Sequence, residues 1–218
     1  MSCAICETRK EKRFCPAVHG RICAQCCGEQ REVTLDCPSD CVYLQQSRQH
    51  EKPRAMESLD QSELFPTVEI SDQFLYEHDP LIMGVSFALA KAVKKNTTTR
   101  DSDLIGALTA MAKNYETLMN SGLHVENFLT NTSQQDVIHE LQEMLKGYRE
   151  EEEKHTGYSR LRDSEIFQVL VFWLRMGHSV TSGRPRSRAF IDFLFRQFAE
   201  KKSSIVAPED AGSRIIVP

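Results

Sequence analysis

All eight cysteines of this 218-residue chain fall within its first 41 residues: Cys3, Cys6, Cys15, Cys23, Cys26, Cys27, Cys37 and Cys41. That lopsidedness sets two separate folding problems. A segment of about forty residues cannot bury enough apolar surface to fold alone, so cross-links through its sulfurs must hold it. The cysteine-free remainder is long enough for a core of its own.

The type of cross-link follows from compartment and spacing. Cys3 and Cys6 stand where a charged leader region would be, and no apolar run reaches the length of a membrane span. A cytoplasmic location is therefore expected, and Asn96 and Asn131, which match glycosylation sequons, are read as accidental. In a reducing compartment, clustered cysteines bind metal more often than they form disulfides. Cys3-x-x-Cys6, Cys23-x-x-Cys26-Cys27 and Cys37-x-x-x-Cys41 have the spacing of metal knuckles, with Pro16, Gly20, Gly28 and Pro38 as turn formers between them. Zinc bound there would supply most of the segment's folding free energy. An iron–sulfur cluster also uses four thiolates and stays open as an alternative. A redox Cys-x-x-Cys needs a thioredoxin-like strand and helix around it, and no such context is present.

The alternation of these pairs resembles a cross-brace zinc module of the B-box kind, in which pairs one and three hold one ion and pairs two and four the other. The resemblance implies one site of Cys3, Cys6, Cys23 and Cys26, and a second of Cys15, Cys37 and Cys41 with one more ligand. That ligand is Cys27 or His19. Cys27 is favoured, because eight thiolates make two closed sites and a free thiol beside zinc would invite oxidation; His50 is a more remote candidate. Residues 3–50 also resemble the N-terminal segment of a group of uncharacterised bacterial proteins with CxxC, CP, CxxCCG and CPxDCxYL in that order. This second resemblance implies no activity.

Beyond the cysteines, residues 51–76 read as a polar linker, with Thr67–Ile70 extended. Residues 77–202 read as a bundle of about five helices, and 203–218 as a tail whose Ile215, Ile216 and Val217 suggest docking. The fold class expected is mainly α, a small zinc-binding module followed by this bundle. Asp79-Pro80, Asp101, Ser133, Asp163 and Ser187 mark the five helix starts. "EIFQVLVFWLRMG" is apolar nearly all round and is expected to be the most buried helix. "RDSDLIGAL" and "RDSEIFQVL" share a cap and an apolar pattern, which raises an internal repeat against the plainer reading that this is simply a good helix start.

Few residues of the body suggest chemistry. Arg184, Arg186 and Arg188 crowd the positive end of the fifth helix and form a candidate anion site, with pairing to acids of the same chain as the rival reading. Glu152-x-x-His155 has the local form of a di-iron ligand pair, but no second ExxH exists in the chain. No glycine-rich phosphate loop, nucleophile elbow or HExxH motif occurs.

Net charge is −4, with nine Lys/Arg against seven Asp/Glu up to Ala55 and eighteen against twenty-four beyond it. The leading expectation is thus a zinc-binding adaptor or regulator acting through protein contacts and making no use of a membrane. The second is a nucleic-acid-associated protein using the basic finger and the Arg184–Arg188 loop. An enzyme with an unrecognised site in the helices ranks third.

Overall fold

In the computed structural model, the structure describes residues 1–51, 64–123 and 131–205, the last few through the backbone alone. Two three-residue strands open the chain, β1 (Arg13–Cys15) and β2 (Gly20–Ile22), paired antiparallel with Phe14 opposite Arg21. The helices α1 (Ala24–Gln30) and α2 (Val42–His50) follow within the cysteine segment. Next come α3 (Asp72–Glu77), α4 (Asp79–Lys95), α5 (Asp101–Ser121), α6 (Thr132–Thr156), α7 (Asp163–Val180) and α8 (Ala189–Ile205). The described residues therefore hold eight α-helices. The five expected for the body are α4 to α8; α1, α2 and α3 come from stretches too short for apolar periodicity to register.

Local capping explains where the long helices start. Pro80 occupies the first turn of α4, where a missing N–H costs nothing. Asp103 and Glu165 reach back to accept from the backbone N–H of Arg100 (2.8 Å) and Arg162 (2.9 Å), so α5 and α7 share the same closed first turn. The cap of α6 is Asn131 rather than the expected Ser133: its side chain accepts from the Ser133 N–H at 2.9 Å. Asn96 likewise closes the α4–α5 turn by accepting from Thr98 N–H at 3.1 Å. Both sequon asparagines are thus turn and cap residues.

The core forms where α5 lies along α7 and α4 along α6, with α8 closing over α4, α5 and α7. Leu81, Leu89, Leu104, Leu108, Leu141, Leu170 and Phe190 are fully buried. Trp173 of α7 is buried too, and its indole N–H donates to the Ile82 carbonyl at 3.1 Å, which satisfies the one polar atom it carries inside. Gly177 lets α7 approach its neighbours: a Cβ there would lie 3.0 Å from the Phe190 ring and 3.1 Å from Ile105.

The part of the expected linker from Leu64 onward is built into this core. Leu64 and Phe65 are buried, and Phe65 meets Phe167 edge-on at 5.3 Å. The Arg175 guanidinium binds the carbonyls of Leu64, Phe65 and Val68 at 2.6–3.0 Å, and Gln168 binds that of Glu69. Residues 67–70 form no strand; side chains of α7 take the place of strand partners. Beyond Ile205 the expected tail, with Ile215, Ile216 and Val217, lies outside the described residues.

Candidate metal centre

Cys3, Cys6, Cys23 and Cys26 bring their sulfurs within 4.8 Å of one another. The first pair sits on a tight turn. Glu7, at φ 55°, swings its N–H back to the Cys3 carbonyl at 2.9 Å, and the Ala4 N–H pins the turn to Arg21 of β2 at 3.0 Å. The second pair straddles the start of α1, where Cys23 is the cap and its sulfur accepts from the Cys26 N–H at 3.4 Å. The Cys23 N–H in turn donates to the Cys3 sulfur at 3.1 Å, joining the two halves.

These residues fit a single tetrahedral ion of the zinc type. A Zn–S bond of about 2.3 Å gives tetrahedral sulfur–sulfur edges of about 3.8 Å, inside the observed limit. A set this tight suits one ion better than a cluster whose cysteines ligate different irons. The protonation pattern agrees. Hydrogen bonds from the Thr8 side chain and then the backbone of Arg9 and Thr8 lower the Cys6 thiol to about 5. Burial, and then the neighbouring sulfurs, push Cys26 up to about 12. Four thiolates cannot share this space uncompensated; a divalent cation removes that conflict. The Arg9 guanidinium, 3.9 Å from the Cys23 sulfur and 4.0 Å from that of Cys26, adds outer positive charge.

The other four cysteines lie apart from this set. Cys15, Cys27, Cys37 and Cys41 all line one cavity of ≈ 10 Å³, walled also by Leu35 and Leu44. Burial, and then the charges of Cys15 and Cys41, raise the Cys37 thiol. Arg13 and Arg31 approach the Cys27 sulfur at 3.6 and 4.0 Å. His19 is exposed, in the left-handed conformation at φ 47°, and His50 is exposed at the end of α2; neither lines this cavity. Among the described residues, only the Cys3 set closes to within 4.8 Å.

The arginine loop between α7 and α8 turns inward. Arg184 donates to the Arg31 carbonyl (2.8 Å), Arg186 pairs with Asp36 (3.2 Å), and Arg188 binds the carbonyls of Thr97 and Thr99 (both 2.9 Å). The anion at the start of α8 belongs to the chain itself. Asp101, 1% exposed, accepts from the backbone N–H of Phe190 and Ile191 at 3.2 Å and from the hydroxyls of Thr181 and Ser187 at 2.9 and 2.6 Å. Its contribution was illegible because it lies more than eighty residues from α8 in sequence.

Glu32 is the residue that sequence reasoning missed. It sits between Cys27 and Cys37 at φ 53° and is 2% exposed. One carboxylate oxygen meets Arg48 at 2.7 Å and the other accepts from Ser182 at 2.9 Å, while its carbonyl accepts from the Arg186 N–H at 2.8 Å. Arg48 continues to Asp192 of α8 at 2.6 Å, and Asp36 takes Arg100, just before α5, at 2.7 Å. A loop bounded by metal-ligand candidates is thereby bolted to the helical body. Beside it, Gln45, Arg48, Thr181, Asp192 and Phe195 border a cleft of ≈ 920 Å³ between α2, α7 and α8.

The Glu152-x-x-His155 pair is spent elsewhere. Glu152 accepts from Ser159, Arg160 and Leu161 at 2.8–3.2 Å, and His155 faces Glu151 at 3.1 Å.

Fold and site together define a metal-binding, mainly α-helical protein with a four-thiolate centre of the zinc type. No protein-family model, curated protein or solved structure matches the chain. No helix among the described residues is long and apolar enough to cross a membrane.

Proposed function

We propose that this is a cytoplasmic adaptor-like protein with two structural zinc ions, acting through protein contacts. The observation that carries the reading is the closed cluster of Cys3, Cys6, Cys23 and Cys26. Four thiolates fill a tetrahedral ion and leave no position for water or substrate, so the metal builds a surface instead of performing a reaction. The second ion belongs to Cys15, Cys27, Cys37 and Cys41, which share a cavity that an ion would draw tighter. Cys27 takes the last place and His19 does not, since His19 points to solvent. The two sets interleave along the chain in the manner of a cross-brace, with residues 1–50 as the zinc module, 51–76 as its connection and 77–202 as the bundle.

The bundle offers a contact face. Phe87 of α4 is 58% exposed and meets Phe198 of α8 edge-on at 6.0 Å, placing aromatic surface where solvent would otherwise be. Metal analysis of the purified chain tests the first half of the proposal. Two zinc ions per chain are expected, one in Cys6→Ser and one in Cys37→Ser, with both retained in His19→Ala; one ion or none in the unaltered chain overturns the two-site arrangement. For the second half, a partner co-purifying with the native chain should be lost from Phe87→Asp while zinc content is unchanged. A partner that stays bound refutes this face.

A further inference from the structure

The zinc module presents a surface whose character sequence alone does not reveal. Strand alternation turns Cys15 and Ile22 inward, where both are buried, and turns Phe14 and its cross-strand partner Arg21 outward. Phe14 is 55% exposed, so most of one ring face is open to solvent on this hairpin. Lys10 and Lys12, in the segment that leads into β1, are exposed too. Arg13, on the adjoining side, is fixed 4.6 Å over the Tyr43 ring. Arg21 spends only its Nε on Glu11, at 3.2 Å, which leaves further N–H donors of its guanidinium facing solvent. Residues 7–21 carry five Lys/Arg against two Asp/Glu in a chain whose net charge is −4, so the positive charge is concentrated on this hairpin.

We propose that the outward face of the β1–β2 hairpin binds single-stranded nucleic acid, with Phe14 as the stacking platform for one base and Lys10, Lys12 and Arg21 as the phosphate contacts. The pairing of features selects this ligand. Cations alone would suit any polyanion, but an acidic peptide makes no use of a bare ring, whereas every unpaired base offers a flat π-face to it. A duplex keeps its bases stacked on one another and denies the ring that contact. The face is short, so it contributes one stacked base and about three phosphates, with affinity in roughly the 10⁻⁴–10⁻⁶ M range of non-specific binding. The arginine loop, whose cations are engaged within the chain, takes no part. The proposal needs the folded module but not the adaptor role.

The test uses the zinc-loaded full chain and fluorescein-labelled oligouridylate and oligothymidylate of about twelve nucleotides, read by anisotropy. Binding of either oligomer is expected, weakening about 20-fold between about 50 and 200 mM salt, as three phosphate contacts on a single strand require. Phe14→Ala should weaken binding at least about fivefold with little change in that salt dependence, and Lys12→Ala should flatten it. Zinc content and circular dichroism of each variant establish that it is folded. Phe14→Trp gives a second readout: its emission should be quenched on binding, because the indole stacks on a base. The proposal is overturned if neither oligomer binds at the low salt concentration. It is equally overturned if folded Phe14→Ala binds as the native chain does, or if oligoglutamate competes as well as the oligonucleotides.

Discussion

Asp101 belongs to the first turn of α5, yet its carboxylate closes the first turn of α8. Two backbone N–H groups that a helix start leaves unpaired find their acceptor there, and the negative charge faces the positive end of the helix. Thr181 and Ser187 add two hydroxyl donors, so Oδ2 accepts three hydrogen bonds and Oδ1 one. Asp101→Asn keeps the shape but turns an amide N–H₂ toward donors, leaving at least one of them buried and unpaired. We expect a loss of about 2–4 kcal/mol, seen as a Tm lower by roughly 6–12 °C in thermal unfolding of the full chain. Asp163, at the matching position of α7, pairs with Arg149 across the surface, 43% exposed. Asp163→Asn should therefore cost less than about 1 kcal/mol. The two matching sequences share a helix start and diverge in everything that depends on distant residues.

At the scale of elements, α4 and α6 are held together by an acid that both ends of the contact need. Glu140 of α6 is buried, and Lys91 and Lys95 of α4 clasp it, Lys91 at 2.8 Å. The Lys91 ammonium, and then that of Lys95, hold the Glu140 carboxyl below its usual range. A depressed folded-state pKa contributes stability that is fully present above the ordinary carboxylate pKa and disappears as pH falls through the lowered one. Acidification from neutral pH to below about 4 should therefore loosen the α4–α6 contact by about 1 kcal/mol, since both lysines remain half open to water. In Glu140→Gln the drop in Tm over that interval should be smaller by the corresponding amount; an equal drop in both chains would assign the acid sensitivity to other groups. This contact also marks where sequence reasoning stops. Helix starts at Asp79, Asp101 and Asp163 are legible because first-turn signals lie next to them in the chain, although the aspartates are first helical residues and the caps are His78, Arg100 and Arg162. The shift from Ser133 to Asn131 is a local competition between two good caps, which pattern alone does not resolve. The three-residue strands and the six-residue α3 are too short for a period to be counted. Glu140 reads as one more surface acid until Lys91 and Lys95 of another helix are set beside it. Among the sulfurs, the alternation of pairs implied the grouping of Cys3 and Cys6 with Cys23 and Cys26, but only the fold shows Cys27 lining a cavity with Cys15, Cys37 and Cys41 while His19 faces out.

For the whole molecule, the decisive residue is Glu32, because it lies on the loop between metal-ligand candidates and is buried against the body. Its carboxylate joins Arg48 of α2 to Ser182 of the α7–α8 loop, and Arg48 passes the link to Asp192 of α8. If Cys27 and Cys37 hold the proposed second ion, a loop released from it cannot keep this geometry, and loss of metal should be felt in helices that contain no cysteine. The buried Trp173 of α7 reports on those helices through its emission. In the native chain we expect a strong chelator to lower the midpoint of the Trp173 transition, with module and body unfolding together. Glu32→Ala should reduce stability of the metal-loaded chain by about 2 kcal/mol, less than a fully buried pair would lose, because Arg48 keeps Asp192 and some water. In that variant chelation should unfold the module, seen by circular dichroism, and shift the Trp173 midpoint less than in the native chain, because the Asp36 and Arg184 contacts remain. A Trp173 transition indifferent to chelation in the native chain would show that module and body are thermodynamically separate despite their contacts. The opposite result makes metal occupancy a condition for the body's full stability, with the buried Glu32 carboxylate as the central one of the contacts that join loop to body.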